Sequence, residues 1–270
     1  MCANSSKNSK DAPKPPLLFL HGFRGSHEGV IDISVWLLDQ GYECYYPDLP
    51  PFGHSETELE AYDADHYAKF IADYIKDTFG DLEKHPERRP VLIGHSMGSI
   101  IAAATAAKYP DLTSDKLILL APISTTPPKW IANLQPLVTV LPNHLVGYAT
   151  TKYLATVKSR PEFKEALKTT YACSENYLSR KGVRASARFS ASHKISDFDF
   201  HKNTCLIAGD NDKLIARKYT DILEKTIRER FEQGNTPYEV EIHYIKGGGH
   251  LINYENPRET AKLILDFLKK

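Results

Sequence analysis

Gly94, His95, Ser96, Met97 and Gly98 follow the apolar run Val91 to Ile93 and precede an Ala-rich stretch, Ser99 to Tyr109, that ends before Pro110. A strand that turns directly into a helix forces the corner residue into a strained backbone conformation and lifts its side chain off the sheet. Neighbours tolerate such a turn only if they lack a Cβ, so the two glycines read as its steric requirements. The helix starting at the serine aims free N–H groups at the same point, where they stabilise negative charge on a substrate oxygen. The chemistry implied is nucleophilic attack by Ser96. The competing reading, a strand–helix connection of a nucleotide-binding fold, lacks its own signals: no G-x-G-x-x-G or G-K-[ST] follows any strand-like run.

A hydroxyl attacks only after a base takes its proton, and the base must be oriented by a carboxylate. Among eleven histidines, His250 stands out because it follows a strand-like run and three glycines in "KGGGH". Such an exit lets a side chain project back over the sheet edge. His21, His54 and His95 sit at other strand ends or loops on the same expected face, but His95 is fixed inside the serine turn and His21 belongs to the loop after the first strand. Asp210 and Asp212 in "LIAGDND" lie just beyond a strand's carboxyl end, where ligand-facing residues of an open parallel sheet belong. Distance from the strand favours Asp212 over Asp210 without excluding either. A tetrahedral intermediate also needs donors for its oxyanion, since losing one costs ~10²–10³ in rate. The Met97 N–H, directly after the serine, is one, and the Phe23 N–H in "HGFRG" is the other, because Gly22 allows the chain to turn inward.

These residues must be positioned by a sheet. Six apolar runs recur, at 17–22, 43–49, 90–96, 116–122, 204–210 and 240–247. The first, third, fourth and fifth are nearly continuous, as in strands buried on both faces. Tyr67, Phe70, Ile71, Tyr74, Ile75 and Phe79 keep helical spacing up to Gly80, and Tyr219, Ile222, Leu223, Ile227 and Phe231 do so up to Gly234. "NPRE" opens the last helix, with Asn256 placed to cap, Pro257 in the first turn and Glu259 able to reach back as in a capping box. The alternation predicts an α/β fold with a mainly parallel sheet of about six strands and helices on both faces. Residues 124–201 break the rhythm, with helical fragments, five prolines and Trp130 but no buried strand. They read as a helical cap inserted in a core of 17–123 and 202–270, which follows a flexible tail of residues 1–16. The cap holds eleven Lys and Arg against five Asp and Glu, a basic lid over an acidic body.

Composition bounds the partners. The chain has 270 residues, 41% hydrophobic, with 34 Lys and Arg balanced by 34 Asp and Glu. That is enough for one full-sized core, and no net charge recruits nucleic acid or an anionic membrane. Cys2, Cys44, Cys173 and Cys205 lack C-x-x-C spacing and read as small core hydrophobes with no metal role. No run approaches ~18 apolar residues and the first sixteen lack the apolar centre of a signal peptide, so a soluble cytoplasmic protein with no membrane span is expected.

Taken together, "LLFLHGF", "PDLPPFGHS", "VLIGHSMGS", "LIAGDND" and "KGGGH" occur in the order in which they occur in the α/β-hydrolase superfamily. The chain resembles the capped, carboxylesterase-like serine hydrolases of that superfamily over nearly its whole length. The resemblance implies Ser96 as nucleophile, His250 as base, and Asp212 as acid, three residues after the strand-ending Gly209. It also implies Phe23 and Met97 as the oxyanion hole, residues 124–201 as the lid, and no metal or organic cofactor. Two departures stand out. Pro51 occupies the place of the first glycine in the family's D-x-x-G-x-G-x-S, here Asp48 to Ser55, so that loop's backbone is expected to differ. The first strand begins at Leu17, so six strands are expected in place of eight.

A serine at position 96 disfavours the haloalkane dehalogenases and epoxide hydrolases of this fold, which use an aspartate there. What remains is acyl transfer to water. The first reading is hydrolysis of a small-molecule carboxylic ester through an acyl-enzyme, with Trp130, Leu134 and Leu137, beside Ile131, Val138, Val140 and Leu141, forming an apolar substrate pocket. Thioester hydrolysis uses the same parts. A carbon–carbon hydrolase of the ring-cleavage-product type would take Arg184 or Arg188 from the basic cap to meet a dienol carboxylate. A receptor-like homologue that only holds a ligand is disfavoured by the intact set of five catalytic parts.

Overall fold

A computed structural model of the protein describes residues 13–124, 145, 156 and 179–270. All six apolar runs form strands: β1 Leu17–Leu20, β2 Cys44–Tyr45, β3 Val91–His95, β4 Lys116–Leu120, β5 Asn203–Gly209 and β6 Val240–Ile245. They make one wholly parallel sheet in the order β2-β1-β3-β4-β5-β6. The chain steps outward from β1 to β2 and returns to place β3 on the other side of β1. That reversal puts a crevice beyond the carboxyl ends of β1 and β3, the place where open α/β sheets bind ligands.

Position in the sheet explains the sequence patterns. The inner strands β1 and β3 are buried at every residue, and β4 and β5 from their second residue onward. The edge strands β2 and β6 are only half-buried over most of their length. Along the inner strands, side chains alternate between two apolar layers. Leu18, Leu20, Leu92, Leu117, Leu119 and Leu206 enter one layer, while Leu17, Phe19, Val91, Ile93, Ile118 and Ile207 enter the other.

In chain order, the described helices are α1 Glu28–Leu38, α2 Ala64–Phe79, α3 Met97–Lys108, α4 Arg180–Ser192, α5 Arg217–Gln233, α6 Ile252–Glu255 and α7 Pro257–Leu268. The first layer is closed by α2 through α5, and the second by α1 and α7. Asp63 caps α2 by accepting the His66 N–H at 3.0 Å, and the helix ends at Gly80 with φ 74°. Tyr67, Ile71, Ile75 and Phe79 bury its apolar stripe, each worth about 1.5–3 kcal/mol on removal from water.

Two expectations about helices need correcting. Ile222 does not belong to the buried stripe of α5 and is 57% exposed. The stripe runs through Thr220, Leu223, Ile227 and Phe231, centred roughly 145° around the helix from position 222. At the start of α7 the Asn256 side chain makes no capping bond. Asn256 also closes α6, donating its N–H to Ile252 O at 3.0 Å, and its ψ of 46° is not the extended value a capping side chain needs.

The end of the stretch read as a cap is continuous with the core. Ser179 caps α4 by accepting the Gly182 N–H at 3.0 Å, and Val183, Phe189, Ile195 and Phe200 bury in the first layer. The hydroxyls of Ser186 and Tyr67 lie 2.9 Å apart, tying α4 to α2. Cys44 and Cys205 are free thiols. Burial pushes both upward, Cys44 to about 11, so neither is a ready nucleophile. No helix among the described residues is long and apolar enough to cross a membrane.

Candidate active site

The turn from β3 into α3 places Ser96 at φ 53° and ψ −116°, a conformation that costs a residue with a side chain on the order of 1–3 kcal/mol. The flanking glycines are steric necessities. A Cβ on Gly94 would lie 2.3 Å from Gly98 O, and one on Gly98 would lie 2.1 Å from Leu20 O. Hydrogen bonds pin the corner: Ser96 N–H donates to Leu120 O at 3.0 Å, and the Ser99 hydroxyl donates to Ser96 O while accepting the Ile123 N–H at 3.2 Å.

The loop after β1 packs directly on this corner. A Cβ on Gly22 would come within 3.1 Å of His95 Nδ1 and 3.3 Å of the Ser96 Cβ, so Gly22 permits the approach. Next to it, the Phe23 N–H donates to no described residue, and neither does the Met97 N–H at the first position of α3. His21 fixes the loop as a neutral ring. Its Nδ1–H donates to Gly22 O at 2.8 Å and its Nε2 accepts the Leu49 N–H at 2.8 Å. Burial holds its pKa below the ordinary histidine value.

On the other side of the crevice, the exits of β5 and β6 bring an acid and a base together. His250 Nδ1 lies 2.8 Å from Asp212 Oδ2, and His250 Nε2 lies 2.9 Å from Ser96 Oγ. All three residues are buried. Asp212 Oδ1 accepts the N–H groups of Leu214 and Ile215 at 2.8 and 2.9 Å. Burial alone would raise the pKa of this carboxyl, but the charge and hydrogen bond of His250 and the two backbone donors outweigh it and hold the group ionised.

Asp210, the other carboxylate at this strand end, has a different place. It is exposed and accepts the Gly247 N–H at 2.6 Å, linking the two loops. Asn211 N–H to Gly248 O at 2.9 Å adds a second link. The glycines of "KGGGH" matter through close approach: a Cβ on Gly209 would lie 2.2 Å from Gly248 O. Asp212 and His250 therefore meet because their loops are in contact for most of their length.

Two site residues escape sequence reasoning. His95 Nε2–H donates to His250 O at 3.0 Å, so the residue inside the serine turn also holds the backbone of His250. Burial, with the nearby charge of His250 adding to it, pushes the His95 pKa down to about 3 and keeps the ring neutral. Glu255 in α6 is buried and accepts the Gly249 N–H at 3.0 Å, and also the Thr156 N–H at 2.5 Å and hydroxyl at 2.6 Å. Only the fold joins Thr156 to Gly249, and no local pattern marked Glu255. Trp130, Leu134 and Leu137, with the rest of the 130–141 apolar cluster, lie outside the described residues. Arg184 and Arg188 are exposed on α4.

A parallel sheet that carries a strained serine, a buried aspartate and a histidine at the carboxyl ends of β3, β5 and β6 defines a hydrolase of the α/β type. The chain belongs to the alpha/beta hydrolase fold family, whose pattern it matches over residues 15–257. Monoacylglycerol lipase ABHD6 of Homo sapiens is 24% identical over 278 residues, covering 94% of this chain and 75% of that protein. Among solved structures, a thermophilic esterase from Thermogutta terrifontis superposes with a TM-score of 0.74 at 21% identity, covering 96% of this chain and 90% of that one. An esterase from Exiguobacterium antarcticum superposes with a TM-score of 0.78 at 15% identity, over 96% and 94% of the two chains.

Proposed function

We propose that the protein cleaves carboxylic esters through an acyl-enzyme, with Ser96, His250 and Asp212 as its triad. The observation that carries this reading is the unbroken chain of hydrogen-bond distances from Asp212 through His250 to Ser96, at 2.8 and 2.9 Å. With Nδ1–H donated to Asp212, the Nε2 of neutral His250 accepts the Ser96 proton as Oγ attacks the ester carbonyl carbon. The Phe23 and Met97 N–H groups receive the resulting oxyanion. Collapse of the intermediate expels the alcohol, which takes the proton from His250. His250 then deprotonates a water that attacks the acyl-enzyme, and a second collapse releases the carboxylic acid and restores Ser96. Acyl transfer of this kind calls for no metal or organic cofactor.

Residues 124–201 are proposed as the lid over this crevice, with Trp130, Leu134 and Leu137 meeting the acyl or alcohol group. The relatives support this choice of substrate class by their names, one a monoacylglycerol lipase and two esterases. The exposure of Arg184 and Arg188 favours no carbon–carbon hydrolase. Ser96→Ala is expected to lower kcat on short p-nitrophenyl esters by about 10⁴-fold or more and to abolish labelling by a fluorophosphonate. Retained turnover in that variant would remove Ser96 from the reaction.

A further inference from the structure

We infer that His27, Asp48 and His54 form a site for one divalent transition-metal ion of the zinc type, beside the loop that carries Phe23. The three donors come from two loops, His27 from the one that leads into α1, and Asp48 and His54 from the connection between β2 and α2. His27 Nδ1 lies 3.0 and 2.9 Å from the two Asp48 carboxylate oxygens, and His54 Nδ1 lies 3.7 Å from Asp48 Oδ2. One donor atom from each residue falls within 4.8 Å of the others. Zinc bonds of ~2.0–2.2 Å in a tetrahedron separate the ligand atoms by about 3.3–3.6 Å, which the observed spacings bracket.

The carboxylate is built in place. Asp48 accepts the backbone N–H groups of His27 at 2.6 Å and of His54 at 2.7 Å, so one side chain fixes the backbone of both histidines. Gly53, at φ 62°, lets the turn close over it, since a Cβ there would lie 2.3 Å from the Asp48 carboxyl carbon. The Asp48 side chain is 6% exposed, whereas His27 and His54 are 27% and 61% exposed. One face of the trio is therefore open to water ligands, and two imidazoles with one carboxylate suit zinc better than magnesium or calcium.

A simple His27–Asp48 hydrogen bond accounts for only part of this. It leaves unexplained why the His54 ring stands 5.6 Å from that of His27 with its Nδ1 near the same oxygen. A second trio, Cys205, Glu241 and His243, is a poorer host because Lys270 already pairs with Glu241 and Cys205 is fully buried. Positions 27, 48 and 54 are too scattered to spell any metal motif.

The test is calorimetric titration of ZnCl₂ into the metal-free full-length protein. A single equivalent should bind, weakened roughly tenfold or more in His54→Ala and in His27→Ala, while His243→Ala binds like the parent. Zinc should also raise the Tm of the parent and of His243→Ala but not of His54→Ala, and magnesium should do neither. His54 is exposed, so its replacement leaves the fold intact and keeps the comparison valid if His27→Ala fails to fold. Absence of saturable zinc binding in the parent, unchanged affinity in folded His54→Ala, or loss of binding only in His243→Ala overturns the assignment.

Discussion

The two sides of the crevice are held by different physics. On the β1–β3 side, Ser96 and the loop of Phe23 are placed by the absence of atoms: Gly94 and Gly98 let backbones approach where any Cβ would collide, Gly22 lets its loop press against the side chains of His95 and Ser96, and the rings there are neutral. On the β5–β6 side, His250 is placed by carboxylates, with Asp212 on its ring, Asp210 on Gly247 and Glu255 on Gly249. The β1–β3 side should therefore fail when volume is added, and the β5–β6 side when charge is removed.

Removing charge gives the largest expected effect. Asp212→Asn preserves shape but offers His250 an amide in place of a carboxylate, which favours the wrong ring tautomer and no longer stabilises the imidazolium. A fall of about 10⁴-fold in kcat is expected, with little change in Tm. Asp210→Asn, at an exposed loop tether, should stay within about tenfold of the parent, because only the link to Gly247 is weakened. Equal losses in the two variants would end the distinction between the two aspartates. Adding volume comes next. In Gly98→Ala the new Cβ meets two backbone oxygens, Leu20 O at 2.1 Å and His21 O at 2.7 Å, and neither can move without displacing β1. A loss of about 3 kcal/mol or more is expected, lowering Tm by roughly 6–12 °C in thermal unfolding. A Tm within about 2 °C of the parent would show that the corner is less tightly packed than these distances require.

The same contrast governs what could be read from the sequence. That Ser96, Asp212 and His250 come together is legible because each follows a strand end at a short offset, and strands buried on both faces announce themselves as apolar runs. Gly94 and Gly98 were legible because a strand–helix corner has few solutions. Asp210 against Asp212 stayed open on the residues alone, since both lie beyond the same strand and only the contact with the β6 loop separates them. Glu255 was invisible because its partners, Gly249 and Thr156, come from different loops. Ile222 and Asn256 misled for a related reason. Periodicity does not say where on a broad apolar arc the packing is centred, and a capping pattern does not say that the same residue already ends another helix.

His95 belongs to both sides, which makes it the finest probe of the comparison. It sits in the serine's turn, yet its Nε2–H holds the carbonyl of His250. Burial, reinforced by the neighbouring charge of His250, lowers its folded-state pKa to about 3 from an ordinary value of 6.5. Between those values the unfolded chain binds the proton that the folded one refuses, so this group makes stability rise with pH across the window and fall on acidification. Its contribution is a loss of under about 1 kcal/mol between pH 7 and pH 6, steepening to roughly 1 kcal/mol per unit below that. His95→Gln keeps an N–H donor for His250 O but cannot take up a proton. Urea unfolding at pH 7 and pH 6 should therefore show a shallower loss in the variant than in the parent. Parallel losses would mean that His95 titrates normally in the folded protein, and that the neutral ring assigned to the β1–β3 side is wrong.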